Sequence, residues 1–451
     1  MNLFFCHKFL SYICNARIEL SKVIKMSKKI VVIDGCRTPF LKSGTDYMDL
    51  MSYELGTYAL KGLLTKTGVD PKDIEQVIMG TVISNLQTSN VAREAALTAG
   101  IPNTTPCSTV TMACISANRA ISNAYVEMLA GQYDIAIAGG VENTSDTPIG
   151  FRREMRKKLF NAQKLRGLAD ILKFIFSLSY KDFLPEKPRV AEFSTNRVMG
   201  QDCDMMAARF GVERNAQDEF AVRSHHLAAK AWDDGHLAKE VCELALPPKF
   251  KAIQKDNGVR GDSKMEKVSK LRPAFDKKYG TLTAANSSFL TDGAAVTLLA
   301  TEEKAKELGL TPKAEIVDYV FTGQDLTNEL LLGPAYAISE ILKKNNLELD
   351  DIDVLEIHEA FAGQVLANIN ALESDEFAKE NFGRDKAVGK VDFDKLNLWG
   401  GSLSIGHPFG ATGSRLLTTA ANRLHAENGK YALLAACAAG AHGHAMLIKR
   451  Y

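Results

Sequence analysis

The chain has 451 residues, 46% of them hydrophobic and 24% charged, with a net charge of +1. That length sustains a sizeable core in two or three domains, or one duplicated unit, and the near-neutral balance excludes the basic excess of a general nucleic-acid binder. Eight cysteines without a Cys-x-x-Cys pair argue against a disulfide framework and a zinc site and for a reducing compartment, and no apolar run reaches the ~18 residues of a membrane span.

In chain order, residues 1–25 stand apart. Leu3 to Ile13 is a short apolar stretch interrupted by His7 and Lys8, followed by Arg17, Lys22 and Lys25. Acidic residues are scarce, as in a transit peptide, but Arg and Ser are few and no small-residue cleavage site is evident. Met26-Ser-Lys-Lys-Ile-Val-Val-Ile-Asp reads as a natural start. Residues 1–27 are therefore expected to be an N-terminal extension, either a targeting segment or sequence upstream of the true start. Ile30–Ile33 predicts the first strand. Residues 59–82 predict an amphipathic helix, a turn and a strand; Ser116–Ala130 predicts a helix, and 131–140 a buried strand. A charged, irregular stretch from about 146 to 272 breaks the alternation and reads as an insertion with its own helices. Gly280–Ala284 reads as a return to strand, and Glu315–Val320 as the first strand of a second half.

The second half repeats the first. Residues 337–360 match 59–82 at one constant offset, with Leu60 on Ile338, Leu64 on Leu342, Asp73 on Asp351, Ile74 on Ile352 and Val77 on Leu355. Residues 429–438 match 131–140 in the same order. Strand–helix alternation of this kind implies duplicated α/β halves with largely parallel sheets.

Four segments carry chemistry. Cys114 lies in Thr-Met-Ala-Cys-Ile-Ser-Ala-Asn (111–118), before a helix whose N–H groups and dipole would favour the thiolate, the reactive form of cysteine. Gly400–Gly413 contains Gly-His-Pro-Phe-Gly: the glycines permit a tight path and close approach of another segment, and Pro408 holds His407 extended. It lacks the Lys-Ser/Thr ending of a phosphate-binding loop and the strand–GxGxxG–helix setting of a dinucleotide site. Cys437 follows a buried strand in Ala-Ala-Cys-Ala-Ala-Gly (435–440), and His358 ends another in His-Glu-Ala-Phe. Each alone is compatible with a packed structural residue or a plain turn; two thiols and two histidines in tight loops together suggest covalent thioester chemistry.

Seven strings in order carry a resemblance: Asp-Gly-Cys-Arg-Thr-Pro-Phe (34–40), Ser-Asn-Val-Ala-Arg-Glu-Ala-Ala-Leu (89–97), Met-Ala-Cys-Ile-Ser-Ala-Asn (112–118), Thr-Ala-Ala-Asn-Ser-Ser-Phe-Leu-Thr-Asp-Gly (283–293), His-Glu-Ala-Phe (358–361), Gly-His-Pro-Phe-Gly-Ala-Thr-Gly (406–413) and Cys-Ala-Ala-Gly (437–440). From Lys28 to the C-terminus the chain resembles the thiolase family, in particular the β-subunits of fatty-acid β-oxidation multienzyme complexes. The resemblance implies a duplicated, five-layered α/β fold with an inserted loop domain: an N-terminal domain over 28–300, with the insertion at about 146–272, and a C-terminal domain over 301–451. It implies a 3-ketoacyl-CoA thiolase with Cys114 as nucleophile, His407 as its base, Cys437 as second acid/base, and His358 at an oxyanion site where many thiolases carry Asn. A second oxyanion hole would use the backbone N–H groups of Cys114 and Ala439. Met199 and Ser288 would touch the substrate's pantetheine arm, and Glu359 would orient its loop. No metal or redox cofactor is implied, coenzyme A being a substrate.

The relatives usually read Gly-Gln where Ala441 and His442 stand here, so a Cβ is expected to narrow that turn or demand a negative φ. His442 and His444 have no further ligand placed beside them. The basic and apolar stretch 151–185 suits a membrane surface, a partner subunit or a helix folded over the site mouth. The resemblance implies a homodimer or larger assembly, and an α-subunit with hydratase and dehydrogenase activities as a candidate partner. The compartment is expected to be a bacterial cytoplasm or, alternatively, a mitochondrial matrix. Rival readings are an acetoacetyl-CoA thiolase in the condensing direction, a decarboxylating ketoacyl synthase (which would lack the second cysteine), and a non-enzymatic lipid carrier or assembly subunit.

Overall fold

The computed structural model describes residues 28–186, 188 and 191–451; the expected N-terminal extension lies outside them. Ten strands form one hydrogen-bonded system. The first half supplies β1 (Ile30–Arg37), α1 (Ser52–Thr67), β2 (Gln76–Gly80), α2 (Val91–Ala99), β3 (Cys107–Val110), α3 (Ser116–Leu129) and β4 (Ile135–Glu142). An excursion follows, with α4 (Arg153–Ala162), α5 (Leu168–Ser177), α6 (Met199–Arg209) and α7 (Arg214–Asp233), before β5 (Thr291–Thr301) closes the half. The second half runs β6 (Ala314–Gly323), α8 (Gly333–Asn345), β7 (Val354–Ile357), α9 (Ala362–Leu372), α10 (Thr412–Ala426), β8 (Tyr431–Ala438) and β9 (His442–Arg450).

The strand order is β7-β8-β9-β6-β1-β5-β4-β2-β3, with the two-residue strand Leu41–Lys42 on β5. The two half-sheets join through Val31–Glu315 and Val32–Ala314 of antiparallel β1 and β6. Outward from that seam they mirror each other: one antiparallel partner, a second, then a parallel strand. The helix ends repeat as well. Gly68 and Asn346, which align in the repeat, both adopt left-handed φ, and their N–H groups close α1 on Leu64 and α8 on Leu342.

Strands buried on both faces need helices on both sides. In β8, Leu433, Ala435 and Cys437 face one apolar cluster with α8 and α9. Ala432, Leu434, Ala436 and Ala438 face another. That second cluster also takes Ala136 and Ala138 of β4, Ala120 and Ala124 of α3, and Ala420 and Ala421 of α10. Thus α3 and α10 form a middle layer between the two half-sheets, with α1 and α2 outside the first and α8 and α9 outside the second. The architecture is the expected five layers, but the sheets are not largely parallel as expected: only β7–β8, β4–β2 and β2–β3 run parallel, and every pair from β8 across the seam to β4 is antiparallel.

One expected strand is absent. Gly280–Ala284 is irregular because its amides are taken elsewhere: the Asp204 carboxylate on α6 accepts from Thr281 N–H at 2.7 Å and Leu282 N–H at 3.0 Å, and Asn286 Oδ1 accepts from Thr283 N–H at 2.6 Å. Regular pairing resumes at Thr291.

The middle layer permits no extra atoms. A Cβ on Gly140 of β4 would stand 1.9 Å from the Gly410 carbonyl oxygen and 2.5 Å from that of Gly80. Both are backbone, so neither can rotate away. Gly140→Ala is expected to lower stability by about 3 kcal/mol, read as a lower denaturation midpoint, and to displace the Gly410 loop.

Candidate active site

The expected residues converge at the C-terminal ends of parallel β7 and β8 and the N-terminal ends of α3 and α10. Cys114 lies in the turn between β3 and α3. Ser116 braces that turn: its Oγ accepts from Met112 N–H at 2.8 Å and donates to the Ala113 carbonyl at 2.7 Å. Ala113 has a φ of 45°, a left-handed conformation that costs an alanine about 1–2 kcal/mol. Strain of this kind is commonly held at functional sites. Cys114 is half-buried, whereas Cys437, at the end of β8, is buried.

Ala441 does not take a negative φ. Gly440 and Ala441 are both left-handed, at 84° and 54°, and join β8 to β9 within a regular hairpin register. The turn is tied down by Glu192, which accepts from Gly440 N–H at 2.8 Å, and by Gln324 N–H on the Ala441 carbonyl at 3.0 Å. The alanine therefore accepts the strain without altering the path. Ala439 N–H and the backbone N–H of Cys114 itself both reach the Cys114 sulfur.

His358 and His407 lie side by side, with ring centroids 4.1 Å apart. His407 is held extended beside Leu290, as the following proline requires. Its Nδ1 is 2.7 Å from Thr412 Oγ1, and that hydroxyl donates to the Pro408 carbonyl at 3.0 Å. With its hydrogen committed, the hydroxyl accepts, so Nδ1 carries the ring proton and Nε2 presents a bare lone pair. His407 Nε2 is buried and has no partner among the described residues: it is placed as a base.

Burial sets the charge state. It pushes the Cys114 thiol up to about 12, against the lowering effect of the two N–H groups and with a further push from Glu142. Cys437 is raised as well, by burial and then by Cys114. His407 is pushed down to about 3 by burial and by the Arg415 cation, and His358 falls well below its usual value through burial, His407 and Arg415. The expected helix-end stabilisation of the Cys114 thiolate is thus outweighed; at rest the site holds thiols and neutral imidazoles.

Glu359 orients its loop. Its carboxylate accepts from Ser224 Oγ at 2.7 Å, Asn397 Nδ2 at 2.8 Å and Leu403 N–H at 3.3 Å. Ser288 donates its N–H to the Ala360 carbonyl at 2.9 Å, beside the His358 loop. Met199 begins α6 and packs on the cluster that contains Cys437 and Phe361. Sequence reasoning missed Glu142, which is buried, accepts from Val82, Ile83 and Gly410 N–H at 3.1, 2.9 and 3.0 Å, and is raised by burial to about 7. It also missed Cys203, a buried thiol in the same apolar cluster as Cys437, raised by burial, then by Asp204 and Cys437. Neither sits in a motif. Among the described residues, no group of three His, Cys, Asp or Glu is arranged to hold a metal ion.

Comparison with known proteins identifies the family. Residues 30–303 match the thiolase N-terminal domain and residues 310–450 the thiolase C-terminal domain. The mitochondrial trifunctional enzyme subunit beta of Rattus norvegicus is 51% identical over 94% of this chain and 89% of its own. A probable 3-ketoacyl-CoA thiolase of Caenorhabditis elegans is 50% identical over 97% of each. The crystal structure of human mitochondrial 3-ketoacyl-CoA thiolase superimposes with a TM-score of 0.81 at 28% identity, over 94% of this chain and 99% of that one. The chain belongs to the thiolase family.

A raised Cys114 pKa has a direct signature. Since the folded thiol ionises well above neutral, alkylation of Cys114 by iodoacetamide is expected to keep accelerating from pH 7 through pH 9. A plateau near pH 7 would show instead a preformed thiolate–imidazolium pair.

Proposed function

We propose that this thiolase-family chain cleaves 3-ketoacyl-CoA with CoA, yielding acetyl-CoA and an acyl-CoA shortened by two carbons, as a step of fatty-acid β-oxidation. The observation that carries the reading is the bare, buried Nε2 of His407 beside His358, within a site that also brings Cys114 and Cys437 into each other's electrostatic reach.

The steps follow from these positions. His407 Nε2 takes the Cys114 proton as sulfur attacks the 3-keto carbon, and the oxygen charge that forms there is held by the N–H groups of Cys114 and Ala439. The C2–C3 bond breaks, leaving an acyl thioester on Cys114 and the enolate of acetyl-CoA, whose oxygen lies against the histidine pair. The Cys437 thiol protonates the enolate carbon, and acetyl-CoA departs. The Cys437 thiolate then takes the thiol proton of an incoming CoA, whose sulfur attacks the thioester through the same backbone hole. Collapse releases the shortened acyl-CoA, and Cys114 regains its proton from His407. A buried thiol suits the second role because it can donate to a carbanion and be regenerated by a CoA thiol of similar acidity. Met199 and Ser288 are assigned to the pantetheine arm by resemblance alone.

The same reading includes partners. The rat relative is named as a subunit of a trifunctional mitochondrial enzyme, which favours a mitochondrial compartment here and assembly with a subunit carrying hydratase and dehydrogenase activities. An exposed apolar face supports docking: Leu168, Leu172, Ile175 and Phe176 of α5 are 79%, 53%, 52% and 84% exposed, beside the basic α4. Monomeric proteins rarely leave such faces uncovered. Edge strand β3 has no strand partner on its outer side among the described residues, which suits pairing between copies of the chain.

Cleavage of 3-ketoacyl-CoA from acetoacetyl to 3-ketopalmitoyl tests the reaction, with faster turnover of long chains expected. Activity confined to acetoacetyl-CoA would move the protein to the short-chain acetyltransferases. Cys114→Ala is expected to abolish thiolysis and thioester formation by mass spectrometry, and His407→Ala to slow acylation by about 10²–10⁴-fold. Leu172→Glu with Phe176→Glu is expected to weaken binding to the α-subunit or to vesicles, with turnover of soluble substrate within about twofold of wild type.

A further inference from the structure

His358 has the reverse hydrogen-bond setting from its neighbour. Its Nδ1 is 3.0 Å from Ser402 Oγ, and that same oxygen accepts from Arg415 Nη2 at 3.1 Å. The Ser402 hydroxyl makes no other hydrogen bond among the described residues. With one lone pair engaged by the guanidinium, the hydroxyl has a single acceptor for its hydrogen, the ring nitrogen of His358. Nδ1 is then unprotonated, and the ring proton sits on Nε2, which is buried and unpartnered. Two adjacent imidazoles thus present opposite chemistry to one small volume, a lone pair on His407 and an N–H on His358.

We infer that Ser402 and Arg415 are positioning residues for the reaction: acting through one hydroxyl, they hold His358 as the Nε2–H tautomer, so that it donates to the enolate oxygen and leaves its neighbour alone to take the Cys114 proton. Arg415 cannot accept a proton and has no side-chain freedom to leave; it is fully buried, 3.7 Å from Glu356. It lies one turn after Thr412 on α10. A single helical turn therefore fixes both rings, in opposite senses. Without the serine hydroxyl, His358 could place its proton on either nitrogen, and in the wrong tautomer its Nε2 lone pair would face the developing negative charge. Removing a preorganised donor from an oxyanion site typically costs 10²–10³ in rate; misorienting one costs less.

The inference rests on the thiolysis reading for its catalytic meaning, and its test separates the two. Histidine ¹⁵N shifts in the whole protein, assigned through loss of signal in His358→Asn and His407→Asn, report the tautomers directly. The expected result is a protonated Nε2 on His358, a protonated Nδ1 on His407, and a mixed tautomer for His358 alone in Ser402→Ala. That variant is expected to lose about 10- to 100-fold in kcat with KM within about threefold, and Ser402→Thr, which keeps the hydroxyl, to recover most of the loss. A His358 protonated on Nδ1 in the wild type, or a Ser402→Ala enzyme with kcat within twofold of wild type, would overturn the proposal. If the wild type forms no thioester on Cys114 from 3-ketoacyl-CoA, the thiolysis reading fails, and the ¹⁵N shifts still decide the tautomers.

Discussion

Helices α3 and α10 press against each other and against both half-sheets through alanine and glycine, and this close approach decides where chemistry can occur. Long side chains between the sheets would push the layers apart. With Ala120, Ala124, Ala420 and Ala421 at the contacts, the two helices lie close enough to aim their N-terminal ends at one volume. Gly413 in the first turn of α10 shows how tight the fit is: a Cβ there would stand 2.1 Å from Asn118 Oδ1 on α3. The loops that lead into these helices carry Cys114 and His407, so both candidate residues approach the site from helix N-terminal ends. The parallel strands β7 and β8 end at the same level and add His358 and Cys437.

Charge buried beneath the site ties the remaining parts to that core. Arg37 of β1 makes paired hydrogen bonds of 2.6 and 2.9 Å to Asp256 of the excursion, and Asp256 also accepts from Phe40 N–H at 2.7 Å. Arg423 of α10 contacts Glu356 of β7 at 2.7 Å. Replacing such pairs with apolar side chains can be neutral, whereas removing one member leaves an uncompensated charge costing about 3–5 kcal/mol. The pairs therefore contribute alignment more than net stability: they fix the excursion to β1, and α10 to the strand that ends at His358.

The duplication was legible because burial on two faces writes a dense apolar pattern into both copies, down to the helix end at Gly68 and Asn346. The candidate side chains were legible because Cys114, His407 and Cys437 sit in runs of small residues that a plain helix or strand has no need of, and His358 ends an apolar strand. Three things were hidden. Gly-Thr-Leu-Thr-Ala alternates like a strand, but Asp204, distant in sequence, captures its amides. Ala441 looked incompatible with its turn, yet bonds on both sides hold it in the left-handed region. The charge states were invisible because dehydration has no local spelling: Cys114 precedes a helix, which predicts an acidic thiol, and the surrounding protein makes it the opposite.

The repeat carries a record of its own history. The alignment that sets Ile74 on Ile352 and Val77 on Leu355 sets Gly80 on His358, and the one that matches 131–140 with 429–438 sets Gly139 on Cys437. In the first copy both positions are taken up by packing: a Cβ on Gly80 would meet the Ser116 backbone at 2.5 Å, and one on Gly139 the Ala295 carbonyl oxygen at 2.2 Å. A gene that doubles and fuses begins with two equivalent places for every side chain. Here the second copy carries histidine and cysteine at the strand ends, and the first carries glycines there, which let the Ser116 backbone and the Ala295 carbonyl pack close. The two halves have become complementary, and neither could be exchanged for a second copy of the other without losing the reaction.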